Sequence, residues 1–461
     1  MQTFLRYTKC PPQYIQELSC ASGAQRASGV RLTDPQVYGL LSTKPTPPLY
    51  PQQCHNIAEI SERASKVRFL PFSPTEIIDT LRFERYVDGL NDGIGYMADS
   101  ASVFRRIYYG VRPLLPVPIR RVLQRLALRN WTDISFPTWP LDTTVDDFIR
   151  LLWVYVLESS GEPEIPFIWY WPKGFQSTVM MTHDVETAAG REHCRAMLLL
   201  EQEYGIRSAF EIVPEGRYEV SSDFLDTIRG AGGEVCVHGL NHDGRLFSSE
   251  QEFRRRAEII NQYAKAWGAK GFRSPVMYRN QKWYDALQFS YDMSVPNVAH
   301  LDPQRGGCCT VFPYFIGDIL QLPLTTAQDY SLYNILKCDP LSFWAWQLDR
   351  IASRHGLGSF IIHPDYTIHH KKQALYRDLL KVIRQYADQR NTWLALPGEV
   401  DRWWRERDDL TLTKQMGVWT LQGRGADRAG IAFARLENGK LMFVLPNHDN
   451  EKGARILCNP D

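Results

Sequence analysis

Between residues 166 and 406 the chain switches repeatedly between two hydrophobic periods, and few folds accept that alternation. Short runs rich in apolar and β-branched residues, STVMMT, SAFEIV, GEVCVH, GFRS, YDMSVP, ILQLPL, GSFIIH and TWLALP, are separated by longer stretches such as EQEFRRRAEIINQYAKAW and SFWAWQLDRIASRHG. The runs suit strands buried on both faces, and the stretches between them suit helices. Strands that alternate with helices pair in parallel, so the region is expected to be an α/β fold with helices outside a sheet or barrel.

The flanks read differently. Residues 1–55 hold Pro11-Pro12, Pro45, Pro47-Pro48 and Pro51 among polar residues, a composition that disfavours regular elements and suggests a wrapping arm. Residues 56–165 look helical: SPTEIIDTLRFERYV starts with Ser73 as an N-cap and Glu76 three residues on, and IRRVLQRLALRN follows Pro118 with amphipathic spacing. From 407 to 461, VWTLQ, AGIAFARL and KLMFVL surround Gly-containing turns and predict a small antiparallel β appendage. A length of 461 residues accommodates such a plan.

Charge excludes some partners. Lys+Arg total 53 against 52 Asp+Glu, and no long run of one sign occurs, so the basic footprint of a nucleic-acid or membrane-surface binder is missing. The most apolar stretches, Phe148 to Leu157 and Ile165 to Trp171, are too short for a membrane span. The segment MQTFLRYTKCPPQ does not read as a secretory signal, so a cytoplasmic location is expected. Nine scattered cysteines agree with a reducing compartment, and the adjacent pair Cys308-Cys309 is expected to be two small buried residues. The oligomeric state is not legible.

Chemistry concentrates where the β runs end. STVMMT leads into Asp184 and Glu186, GEVCV into His238, GF into Arg273, and SFII into His363. In a parallel barrel the carboxyl ends of all strands open on one face, so these distant residues can converge. Asp184 and Glu186, two apart, point the same way from an extended strand end, while His183 points to the opposite face. The plain alternative for the two acids is a solvated loop or a helix N-cap, since a helical stretch follows. His238 and His242, at i and i+4, can share one ion from one side of a helical turn, or can be ordinary histidines.

These residues, in this order, resemble the polysaccharide deacetylases, the NodB-homology group of carbohydrate esterases. Thr182-His183-Asp184-Val185-Glu186 is similar to the first family motif in its D-x-E form, His238 and His242 to H-x-x-x-H, Arg273-Ser274-Pro275 to R-x-P, and Phe360 to His363 to the last motif. The sequence departs from the pattern at Val185, at Asp243 (usually Pro) and at Val276 (usually aromatic). The resemblance spans roughly residues 170–400 and implies a distorted (β/α) barrel of about seven strands.

It also implies roles: Asp184 as base, Arg273 as its support, His363 as general acid, and Glu186, His238 and His242 as ligands of one divalent ion. Zinc is the expected metal, although two imidazoles and a carboxylate also accept cobalt, nickel, manganese or iron. Asp329 and Asp365 are both candidates to orient His363. The implied reaction is hydrolysis of the acetamide of an N-acetylated amino sugar or glycan precursor. Two further readings stay open: an amidohydrolase acting on a small non-sugar C–N bond, and a non-catalytic glycan-binding barrel. Trp171, Trp267, Trp283, Trp344 and Trp346 offer possible sugar-stacking faces, but tryptophan is more often a core residue.

Overall fold

The computed structural model describes residues 1–15, 73–89, 131–336 and 338–446, together with the backbone of a few short strands outside them. The expected helix after Pro118 lies outside the described residues. The chain divides into two compact units: Met1–Leu90, Thr143–Phe175 and Arg402–Asp461 form one, and Asn91–Asp142 with Gln176–Asp401 form the other.

The second unit carries the chemistry. Its strands, numbered in chain order, are β1 Ser177–Val185, β2 Ser208–Ile212, β3 Glu234–His238, β4 Gly271–Arg273, β5 Tyr291–Asp292, β6 Tyr314–Ile316, β7 Ile319–Gln321, β8 Leu357–Ile361 and β9 Thr392–Leu394. They hydrogen-bond in the order β6-β7-β5-β4-β3-β2-β1-β8, with β9 also on β1. All pairings are parallel except β6 with β7. All eight β runs read from the sequence contribute a strand.

β1 is the longest of them and shares one edge between two neighbours. β9 pairs with Ser177–Val179 and β2 with Met181–Val185, while β8 occupies Thr178–Thr182 on the other edge. Between β7 and β8 regular pairing gives way to single bonds: Thr326 N donates to Ser359 O (3.2 Å) and Ser359 N donates to Thr325 Oγ1 (2.9 Å). The result is the expected distorted (β/α) barrel. Helices α1 Ala188–Gln202, α2 Ser222–Gly230, α3 Glu250–Trp267, α4 Pro340–Ser353 and α5 His370–Arg390 follow strands as the periodicity requires. α1, α2 and α3 each begin at a Thr or Ser whose hydroxyl accepts a first-turn N–H. Their apolar stripes seal the sheet in clusters such as Val185, Phe210, Ile212, Leu225 and Ile228.

In the first unit Ser73 caps the helix Pro74–Arg82 by accepting from Glu76 N, as the sequence indicates. Two features were not foreseen. Gln2–Thr8 is helical despite the prolines that follow, because Phe4 buries its ring edge-on against Trp153, centroids 5.2 Å apart. The hairpin Ile431–Glu437 and Lys440–Val444 is antiparallel as expected, but it takes Glu164–Ile168 as a third strand from before the barrel. Segments that precede and follow the barrel therefore share a sheet, which local periodicity cannot reveal. Arg407 ties these segments by donating to the carbonyls of Ile168 (2.7 Å), Trp169 (2.9 Å) and Tyr7 (2.9 Å). Among the described residues no helix is long and apolar enough to cross a membrane.

Candidate metal and acid–base site

The carboxyl ends of β1, β3, β4 and β8 bring together all six residues singled out in the sequence. Asp184 lies at the end of β1, His238 and Arg273 are the last residues of β3 and β4, and His363 stands two residues past β8. Glu186 Oε1 is the hub: 2.7 Å from His242 Nε2, 3.7 Å from His238 Nε2 and 3.7 Å from His363 Nε2. Asp184 Oδ2 lies 3.7 Å from His238 Nε2.

His242 reaches this hub by a route other than the helical turn expected for an i, i+4 pair. β3 stops at His238, and the chain turns through left-handed backbone at Gly239 (φ 60°) and His242 (φ 55°). Gly239 is required there, since a Cβ would stand 2.4 Å from Pro275 Cδ. Gly239→Ala is therefore expected to push Pro275 and the neighbouring Arg273 and His238 out of place. Metal titration should show weakened binding with secondary structure retained by circular dichroism, and wild-type affinity in this variant would contradict the packing described.

The donor set fits a divalent cation. Glu186, His238 and His242 present three ligand atoms within 4.8 Å of one another, and both histidine Nε2 atoms are buried: among the described residues that of His238 has no hydrogen-bond partner, and that of His242 faces the Glu186 carboxylate at 2.7 Å. A buried polar atom without a partner is costly, and a shared cation satisfies both nitrogens. His238 Nδ1 is 3.1 Å from Arg273 O, an atom that only accepts, so the neutral ring carries its proton on Nδ1 and keeps the Nε2 lone pair for a ligand. Asp184, Glu186 and His363 form a second, overlapping group of possible ligands.

The acid–base residues are held by partners of opposite charge. Arg273 Nη1 donates to Asp184 Oδ1 at 2.6 Å. Burial raises the Asp184 pKa, but the Arg273 guanidinium together with the His238 and His363 imidazoles outweighs it and the carboxyl stays below its usual range. Burial likewise opposes ionisation of Glu186, yet His242 and the other imidazoles hold it well below the ordinary value. For His363 burial disfavours the charge, and Asp329 together with Glu186 outweighs it to hold the imidazole well above its usual pKa.

Of the two aspartates proposed to orient His363, Asp329 does so. Its Oδ1 is 2.7 Å from His363 Nδ1 and its Oδ2 accepts the His363 backbone N–H at 2.8 Å. Asp365 is pushed up by burial. His183 faces away from the hub as expected, with Nε2 2.6 Å from Glu201 Oε1 and Nδ1 2.9 Å from Ile362 O. Trp171 and Trp344 are core residues, Trp267 and Trp283 are half-buried, and Trp346 is 42% exposed. Cys308 and Cys309 are buried thiols, as anticipated.

One acid escaped the sequence reading. Glu211 sits in β2 directly beside Asp184 in register, fully buried, with Oε2 3.2 Å from Arg273 Nη1. The available signal was the single carboxylate inside the apolar run SAFEIV, since a buried acid is rarely tolerated without a partner.

No protein-family model matches the sequence, and no curated protein matches it either. Solved structures do. A protein assigned as a polysaccharide deacetylase from Mycobacterium smegmatis is 17% identical, with 54% of this chain and 96% of that chain covered and a TM-score of 0.42. The Puue allantoinase is 12% identical, covering 51% and 92%, with a TM-score of 0.41. A protein assigned as a polysaccharide deacetylase from Pseudomonas aeruginosa PAO1 is 12% identical, covering 50% and 91%, with a TM-score of 0.39.

Proposed function

We propose that the protein is a metal-dependent N-deacetylase of the polysaccharide deacetylase type, hydrolysing the acetamide of an N-acetylated amino sugar or glycan precursor. The observation that carries this reading is the hub at Glu186: one carboxylate meets two buried imidazole nitrogens, and an Arg-supported carboxylate and an Asp-supported imidazole flank it. Amide hydrolysis needs such a pair, a base for the attacking water and an acid for the departing amine. The similar structures from Mycobacterium smegmatis and Pseudomonas aeruginosa carry deacetylase assignments in accord with it.

Glu186, His238 and His242 are the residues to hold the metal. A divalent ion supplies Lewis acidity there, making water acidic near neutral pH and favouring negative charge on the amide oxygen. Asp184, kept ionised by Arg273, accepts the water proton as the carbon–oxygen bond forms. His363, kept charged by Asp329, gives its Nε2 proton to the amine nitrogen as the carbon–nitrogen bond breaks. Acetate and a free amine leave. Met277, Leu324 and Ile361 form a buried apolar cluster on the segments that carry Arg273, Asp329 and His363.

The direct test is acetate release from N-acetylated sugars by metal-reconstituted protein, against a cyclic amide as comparison substrate. Release from the sugars alone is expected; turnover of the cyclic amide alone would move the reading to a different amidohydrolase. The rate profile in pH is expected to be a bell. Its acid limb marks protonation of Asp184 below the ordinary carboxylate range, and its basic limb marks loss of the His363 proton above the ordinary imidazole range. Asp329→Asn removes the charge that sustains the imidazolium, so the basic limb should move to lower pH by about one unit or more. An unmoved limb would take His363 out of the acid role.

A further inference from the structure

Glu211 has no part in the chemistry above, yet it is an acid wholly buried in the site. β1 and β2 place it opposite Asp184, and β3 sets Cys236 on its other side. Like charges side by side repel, and between buried groups the repulsion is weakly screened. Arg273 lies between the two acids and offers the same nitrogen to both: Nη1 is 2.6 Å from Asp184 Oδ1 and 3.2 Å from Glu211 Oε2. Glu211 Oε2 also accepts the backbone N–H of His183, the residue before Asp184, at 3.2 Å. A single oxygen therefore holds the peptide that carries the base and the guanidinium that supports it.

We propose that Glu211 is a positioning residue, a clamp that fastens the end of β1 to Arg273 and so fixes how the guanidinium meets Asp184. The inference rests on the hydrolytic reading given above. Charge balance suits the clamp: burial, opposed by Arg273, pushes the Glu211 carboxyl up to about 8, so it is mostly protonated at neutral pH and leaves the Arg273 charge to Asp184. A neutral carboxyl still offers Oε2 as an acceptor. The groups around it are Asp184, Arg273, the Cys236 thiol and the His183 N–H.

Two substitutions separate a clamp from a space-filler. Glu211→Gln keeps an acceptor oxygen without an ionisable group, so its kcat and the acid limb of its rate profile should match the wild type within about twofold. Glu211→Met keeps the length and removes the acceptor. Its kcat should fall roughly 10–100-fold, the usual cost of losing an outer partner, with KM nearly unchanged. Its acid limb should move to higher pH, because a loosened Arg273 no longer offsets the burial of Asp184. Wild-type kcat and limb in Glu211→Met, or a Gln variant shifted as far as the Met variant, would overturn the clamp.

If Glu211→Met does not fold, Glu211→Asp shortens the reach and should show the same loss of kcat; a fully active Asp variant would then count against the proposal. A crystal structure of the substituted protein supplies a readout independent of turnover. Arg273 Nη1 should leave Asp184 Oδ1 in Glu211→Met and stay in Glu211→Gln. Should the wild type hydrolyse no amide, the functional reading fails, while the position of Arg273 still decides the clamp.

Discussion

Asp184→Asn is expected to lower kcat by about 10²–10⁴-fold, the range general-base catalysis contributes, while leaving metal content unchanged. The shape of the side chain is preserved, so Arg273 keeps a neighbour to donate to, but the amide cannot take a proton from water. The charge is also lost from a buried pair, and breaking such a pair costs about 3–5 kcal/mol when one partner is left uncompensated. Here Glu211 remains beside Arg273 and softens the loss. Acetate release in single turnover, with bound metal measured on the same sample, checks the prediction. Activity within a few-fold of the wild type would remove Asp184 from its role.

The second large effect concerns the ion. Removing the metal by chelation should abolish acetate release, and adding it back should restore it. Because only the folded chain assembles the three ligands, a metal present at about a thousand times its dissociation constant should add about 4 kcal/mol of stability, read as a fall in Tm on chelation. His238→Ala should weaken binding by more than the roughly 10–100-fold typical of an outer partner. The same experiment separates the two overlapping ligand groups. An ion retained in His238→Ala and lost in His363→Ala would place it among Asp184, Glu186 and His363, taking His363 out of the acid role.

Much of the barrel was legible because each β run is bounded by a residue of different chemistry. The boundary that ends STVMMT or GEVCV is also where Asp184 or His238 begins the site, so periodicity and function marked the same positions. Other features depend on contacts that no local pattern encodes. The spacing of His238 and His242 suggested a helical turn, and the real path uses left-handed backbone that only the packing of Gly239 against Pro275 requires. Asp329 and Asp365 were equivalent in sequence; they differ because the segment after β7 lays Asp329 along His363. The short β6 was missed because its three residues depend on a tight turn at Gly317 (φ 58°) and on β7. Glu164–Ile168 read as an apolar run, and its partners lie at the far end of the chain.

β1 has a consequence for how this protein can change. Its inner side ends in Asp184, and its outer side carries His183 into a second closed network, where Ser208 Oγ and Tyr376 Oη each donate to Glu201 at 2.5 Å. The two sides alternate residue by residue, so shifting the strand by one position would bury an imidazole where the base belongs and an acid where Glu201 already waits. Insertions or deletions of one residue between 177 and 183 should accordingly be among the least tolerated lesions in the chain, while replacement of single side chains there is met more gently.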